Sequence, residues 1–124
     1  MKKLLLIIAI FPLLLATQCN EDDNGIACTE EAKAGLNITI KDAETNLYLS
    51  EGVSVIATDG SYSEALISFD VVEPIFSGAY EREGNYIITV SKSGYVTYTS
   101  EIITVTSDVC HVIPQQITIL LQPE

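Results

Sequence analysis

The residues able to do chemistry in this 124-residue chain are few. There is one histidine, His111, three cysteines, Cys19, Cys28 and Cys110, and 17 carboxylates against six basic side chains. A general base at His111 would need a nucleophile within reach and a carboxylate to orient the ring. The chain holds neither a Gly-x-Ser-x-Gly elbow nor a His-Glu-x-x-His pair. Calcium wants six to eight oxygens. The candidate acids are Asp42, Glu44 and Asp59 in turns and Glu81 with Glu83, none of them at loop-motif spacing. The run Asp22-Asp23-Asn24-Gly25 lacks the alternate-position pattern of an EF-hand, so these acids read as solvated turns. Tyr48, Tyr62, Tyr80, Tyr95 and Tyr98 are numerous for a chain without tryptophan. A tyrosine offers an apolar face and a polar tip, which suits protein or glycan recognition, and tyrosine also simply favours strands. Tyr80 and Tyr95 are the candidate binding residues. The expectation is no catalytic residue, no metal and no cofactor.

The elements that hold these groups begin with an export signal. Lys2 and Lys3 precede an apolar run from Leu4 to Ala16, broken only by Pro12. Thirteen helical residues cover about 20 Å, short of a bilayer core of about 30 Å, which favours a signal peptide over a spanning helix. Ala16-Thr17-Gln18-Cys19 closes the run, and Asn20-Glu21-Asp22-Asp23-Asn24-Gly25 follows. A cysteine so placed resembles the lipobox of bacterial lipoproteins, with Ala16 where leucine is commonest and Gln18 where a small residue is usual. The resemblance implies cleavage before Cys19, a diacylglycerol on its sulfur and an acylated amine. Several acyl chains, at about 0.8 kcal/mol per buried methylene, would hold the chain at a membrane. The acidic run after Cys19 also looks like the sorting signal that sends some lipoproteins to the cell surface. The expected place is the cell envelope, at the outer membrane.

Charge narrows the partners. The signal, residues 1–18, takes two of the six bases and none of the acids, so four bases face 17 acids in the remainder, a balance of −13. A phosphate backbone needs lysine and arginine to replace its counterions, so nucleic acid is excluded as a partner. The same charge disfavours docking on anionic lipid through side chains and keeps a small domain soluble. With Cys19 assigned to lipid, Cys28 and Cys110 remain. In an oxidising compartment an even remainder points to one disulfide, with two free buried thiols as the alternative. Two cysteines and one histidine fall short of a closed tetrahedral metal set.

Residues 19–34 read as an acidic tether, and the character then changes to period-two alternation. Leu36, Ile38 and Ile40 alternate with Asn37, Thr39 and Lys41. Val53 to Thr58 forms a second strand, and Asp59-Gly60 signals a hairpin into a third from Tyr62 to Val72. Pro74 breaks that run. Phe76 to Tyr80 is a short strand. Tyr86, Ile88 and Val90 give the inner face of the next, and Tyr95 to Val105 another. Ile117, Ile119 and Leu121 line the last. No apolar stripe of helical period follows the signal. Six or seven short strands at intervals of about ten residues predict a single all-β sandwich over 35–122.

Two segments, Gly84-Asn85-Tyr86-Ile87-Ile88-Thr89-Val90-Ser91-Lys92-Ser93-Gly94-Tyr95 and Ile103 to Val112 leading into Gln116 to Leu121, carry a resemblance. With Ile40 to Thr45 and Thr58 to Tyr62 they look like the carboxypeptidase regulatory-like domain, across most of residues 35–122. That family implies a transthyretin-like (prealbumin-like) Greek-key sandwich of seven strands. Its members with an Asp-x-Cys-His-Val segment pair that cysteine with one just before the first strand, which maps onto Cys110 and Cys28. So tied, Cys110 could not serve His111 as a nucleophile. Two enzyme families have related sandwiches, and both need more than one histidine: the hydroxyisourate hydrolases and the iron-dependent intradiol dioxygenases. The expectation is therefore a lipid-anchored module without catalytic activity that contributes to protein or glycan binding. The alternative is a structural spacer or assembly subunit of an envelope complex.

Overall fold

A computed structural model describes residues 27–124. The expected signal peptide, Cys19 and the first part of the tether lie outside the described residues. In chain order the strands are β1 (Ala34–Asp42), β2 (Ser54–Asp59), β3 (Tyr62–Ala65), β4 (Phe76–Tyr80), β5 (Gly84–Ser91), β6 (Tyr98–Thr99), β7 (Ile103–Val105) and β8 (Gln115–Leu121), with no helix among the described residues. They form two sheets. In the first, β1 lies between antiparallel β4 and parallel β8. In the second the order is β3, β2, β5, and then both β6 and β7 on the outer side of β5.

Alternation builds the core between these sheets. Successive side chains of a strand point to opposite faces, so Leu36, Ile38 and Ile40 of β1 and Tyr86, Ile88 and Val90 of β5 all turn inward and are fully buried. Val55, Ala57, Phe76, Val105, Ile119 and Leu121 complete the same cluster. The hairpin from β2 to β3 turns through Gly60, whose φ of 62° sits at the first central position, where glycine carries no side-chain penalty.

The pairings on β5 show that β6 and β7 are one interrupted strand. Thr99 opposes Thr89 and Tyr98 opposes Val90, whereas Ile103 opposes Tyr86 and Val105 opposes Gly84. The register slips by one residue between the two stretches, so Glu101 and Ile102 share a single partner position, as in a β-bulge. Ser100 bridges the break. Its amide donates to the Ile88 carbonyl at 2.9 Å, and its hydroxyl accepts the Ile88 amide at 2.8 Å. Counted this way, the described residues form seven strands in two sheets, the all-β sandwich of six or seven strands that the alternation predicts.

Two expected strands are shorter than the apolar pattern predicts. The third stops at Ala65, with one further bridge from Ile67 to Ser77, instead of running to Val72. Asp70 supplies the physical reason: its Oδ1 accepts the amides of Val72 at 2.8 Å and Glu73 at 3.4 Å, a local turn that competes with the ladder. The stretch from Tyr95 to Val105 pairs with β5 only through β6 and β7. Tyr95 instead bridges to Pro123.

Candidate functional site

The chemistry-bearing side chains gather at one end of the sandwich, where β4 ends, β1 begins and the β7–β8 loop folds back. Within that loop Asp108 caps a tight turn. Its Oδ1 accepts the amides of Cys110 at 2.8 Å and His111 at 2.9 Å, and its own amide donates to the His111 carbonyl at 2.9 Å. The turn presents Cys110 and His111 to the segment before β1. Cys28 and Cys110 form a disulfide with their Cα atoms 5.2 Å apart. The pairing expected for these two cysteines is the one found.

Glu81 follows β4 with a φ of 50°, and Ala79 two residues earlier has a φ of 54°, both in the sparsely populated left-handed region. That backbone swings the Glu81 carboxylate toward the loop. Oε2 accepts the Lys33 amide at 3.0 Å and meets His111 Nδ1 at 2.5 Å, while Oε1 accepts the Val112 amide at 3.0 Å. His111 Nε2 lies 2.9 Å from the Thr29 hydroxyl. A carboxylate only accepts, so Nδ1 carries the proton and, in the neutral ring, Nε2 accepts from Thr29. The Lys33 amide first, then the Val112 amide and the His111 ring, hold the Glu81 carboxyl below its ordinary range. The His111 and Cys110 amides do the same for Asp108.

Thr29, His111 and Glu81 thus form a hydroxyl–imidazole–carboxylate chain, the connectivity of a nucleophile, a base and an orienting acid. What surrounds it is unsuited to acyl transfer. An oxyanion needs preorganised donors aimed at empty space, and the two amides of the turn are already given to Asp108. The open cleft beside the chain is lined by Glu30, Glu31, Glu81 and Asp108, a negative wall facing any developing negative charge. The sulfur of Cys110 is in the disulfide. The Thr29 hydroxyl on His111 and the Lys33 amide on Glu81 join residues 29–33 to the domain, and the Glu81–His111 and Glu81–Val112 bonds hold those two partners in place, so the arrangement acts as a latch on the N-terminal segment.

The two candidate binding tyrosines are not brought together. Tyr80 is 49 % exposed and stands beside Asn37, Ser77 and Gln116. Tyr95 packs against the core, and its hydroxyl donates to Asp42 Oδ2 at 2.6 Å. Ala34, the partner of Tyr80, and Asp42 stand at opposite ends of β1. Eight residues of strand separate them, roughly 26 Å. Of the other tyrosines, Tyr48 is exposed with the Lys41 ammonium over its ring. Tyr62 lies under the Arg82 guanidinium, 3.6 Å from the ring centre, and Tyr98 packs on the core.

Three of the acids weighed as cation ligands, Asp42, Asp59 and Glu81, are committed elsewhere. Asp42 Oδ1 takes the amides of Glu44 and Thr45, and Asp59 pairs with Arg82 at 3.1 Å. No three histidine, cysteine or acidic side chains among the described residues converge as a metal site. Sequence reasoning weighed Glu81 only beside Glu83 and passed over Thr29. The one available signal was the Asp-x-Cys-His order of residues 108–111, which fixes the turn without naming what it faces. Compared with known proteins, the chain matches no family model and no curated sequence.

Proposed function

We propose that this chain is a lipid-tethered module of the cell envelope, without catalytic activity, that contributes to protein or glycan contacts there. The anchor rests on Cys19 and its lipobox-like surroundings, and the module on the resemblance to carboxypeptidase regulatory-like domains. The observation that carries the reading is the use made of the reactive groups: His111, Glu81, Thr29, Cys28 and Cys110 all fasten the N-terminal segment to the sandwich. A domain suspended by its N-terminus benefits from such a fastening, because load or proteolysis acts first at that segment. Tyr80, exposed beside polar side chains, is the candidate glycan contact. Tyr95 serves the fold.

Glycan arrays and pull-downs with the soluble domain test the binding role. A ligand whose retention falls on Tyr80→Ala, with the melting temperature unchanged, supports it. Reproducible hydrolysis of a polymer by the purified domain, abolished by His111→Ala, would replace it with an enzyme. Absence of any ligand, with loss of an envelope assembly on deletion, would leave the spacer reading.

A further inference from the structure

We propose that the loop of residues 67–75, between β3 and β4, is a docking tip for a partner protein whose surface offers an apolar pocket rimmed by lysine or arginine. Phe69, Val71 and Val72 are 87 %, 86 % and 74 % exposed, and Ile67 and Ile75 are also exposed. Single apolar side chains on a surface are ordinary, but five exposed within nine residues of one loop are a concentration of apolar surface of the kind that marks an interaction site. The display is built into the fold. Leu66, Pro74 and Phe76 are buried and root both ends of the loop in the core. Asp70 ties its tip through the Val72 and Glu73 amides, and the Ser68 hydroxyl donates to the Asp70 carbonyl at 3.2 Å. A preformed tip loses less conformational freedom on binding than a loose one.

Location and charge select the occupant. β2 runs from the latch end, where Asp59 meets Arg82, to the turn at Glu51 and Gly52. The loop shares a cleft with Ser50 and Glu51 at that far end. The six residues of β2 span about 20 Å, so the tip faces away from where the described chain begins. Asp70, Glu73 and Glu51 stand around the apolar tip, and Lys92, the base beside them, gives its ammonium to the Glu51 carbonyl at 2.6 Å. An acidic rim repels anionic headgroups and equally a second copy of a chain with net charge −11. A basic-rimmed apolar pocket on another protein complements both features.

This rests on the proposed binding role, and the experiment separates the two. The full-length chain, carrying the photo-crosslinker benzoylphenylalanine in place of Phe69 or, as a control, of Thr118 on β8, is irradiated in the cells that produce it, and the same cells are fractionated. The expected result is one protein adduct from position 69 and none from 118, with the crosslinked peptide apolar and flanked by Lys or Arg. The purified pair should lose about tenfold in affinity on Phe69→Ser and bind more weakly as salt rises. Asp70→Ala, which keeps every apolar side chain, should weaken binding by loosening the tip. Unchanged melting temperatures exclude misfolding. A lipid adduct, an adduct to a second copy, no adduct at 69, or a partner indifferent to Phe69→Ser each overturns the proposal. An adduct from a chain found outside the membrane fraction keeps the docking tip and removes the tether.

Discussion

Glu81 receives three donors, and all three favour its ionised form. A group whose folded-state pKa is depressed contributes stability above its ordinary value, here 4.5, and loses that contribution as pH falls through the lowered one. Asp108 adds a contribution of the same sign. Acid is therefore expected to release residues 29–33 before the sandwich unfolds. Hydrogen exchange at the Lys33 and Val112 amides should show protection near neutrality that fades as pH falls below 4.5, and Glu81→Gln should lose most of it already near neutrality. Unchanged protection in that variant would remove the latch. Tyr86 makes a second residue-scale prediction. Its ring is fully buried, and its hydroxyl donates to the Arg82 carbonyl at 2.9 Å while accepting from Arg82 Nη1 at 3.0 Å. Tyr86→Phe leaves the Arg82 carbonyl without that donor, while Arg82 Nη1 keeps Asp59, and should cost about 1 to 2 kcal/mol in denaturant unfolding.

At the scale of elements, alternation made some strands legible and local side-chain chemistry hid others. Leu36, Ile38 and Ile40, and Tyr86, Ile88 and Val90, sit where a period of two puts them, because burial on one face leaves a strand no other register. The run to Val72 read as strand because Phe69, Val71 and Val72 are apolar and branched or aromatic, yet the Asp70 turn takes the Val72 and Glu73 amides out of the ladder. Likewise the bulge at Glu101 and Ile102 has no signature in residue type, since it depends on Ser100 reaching the Ile88 amide. Ser100→Ala should strand that buried amide and cost about 1 to 2 kcal/mol by chemical unfolding. The turn after β1 depends on Asp42. The Tyr95 hydroxyl, then the Thr45 amide, hold its carboxyl below the ordinary range. Tyr95→Phe should raise the Asp42 pKa toward 3.8, read by carboxyl NMR titration, and narrow the pH range of full stability.

For the whole molecule, Cys28 and Cys110 staple residues 82 apart, and Cys19 is the proposed lipid site. Closing a loop of that length is worth about 4.5 kcal/mol in the chain-entropy model. Cys28→Ser with Cys110→Ser should lower stability by up to about that amount while keeping the β-rich circular dichroism spectrum, since most of the core cluster comes from the strands and not from the loop that carries Cys110. The reactive cluster at the latch was only partly legible beforehand. Its cysteines were countable, but Thr29 and Glu81 reach His111 through contacts 82 and 30 residues apart along the chain. Intact-mass analysis of the protein from the membrane fraction, with thiol alkylation before and after reduction, tests the tethered and stapled module most directly. The expected result is a chain starting at Cys19 and carrying acyl mass, with two thiols alkylated only after reduction. A chain without acyl mass, or one whose thiols are alkylated without reductant, would contradict it.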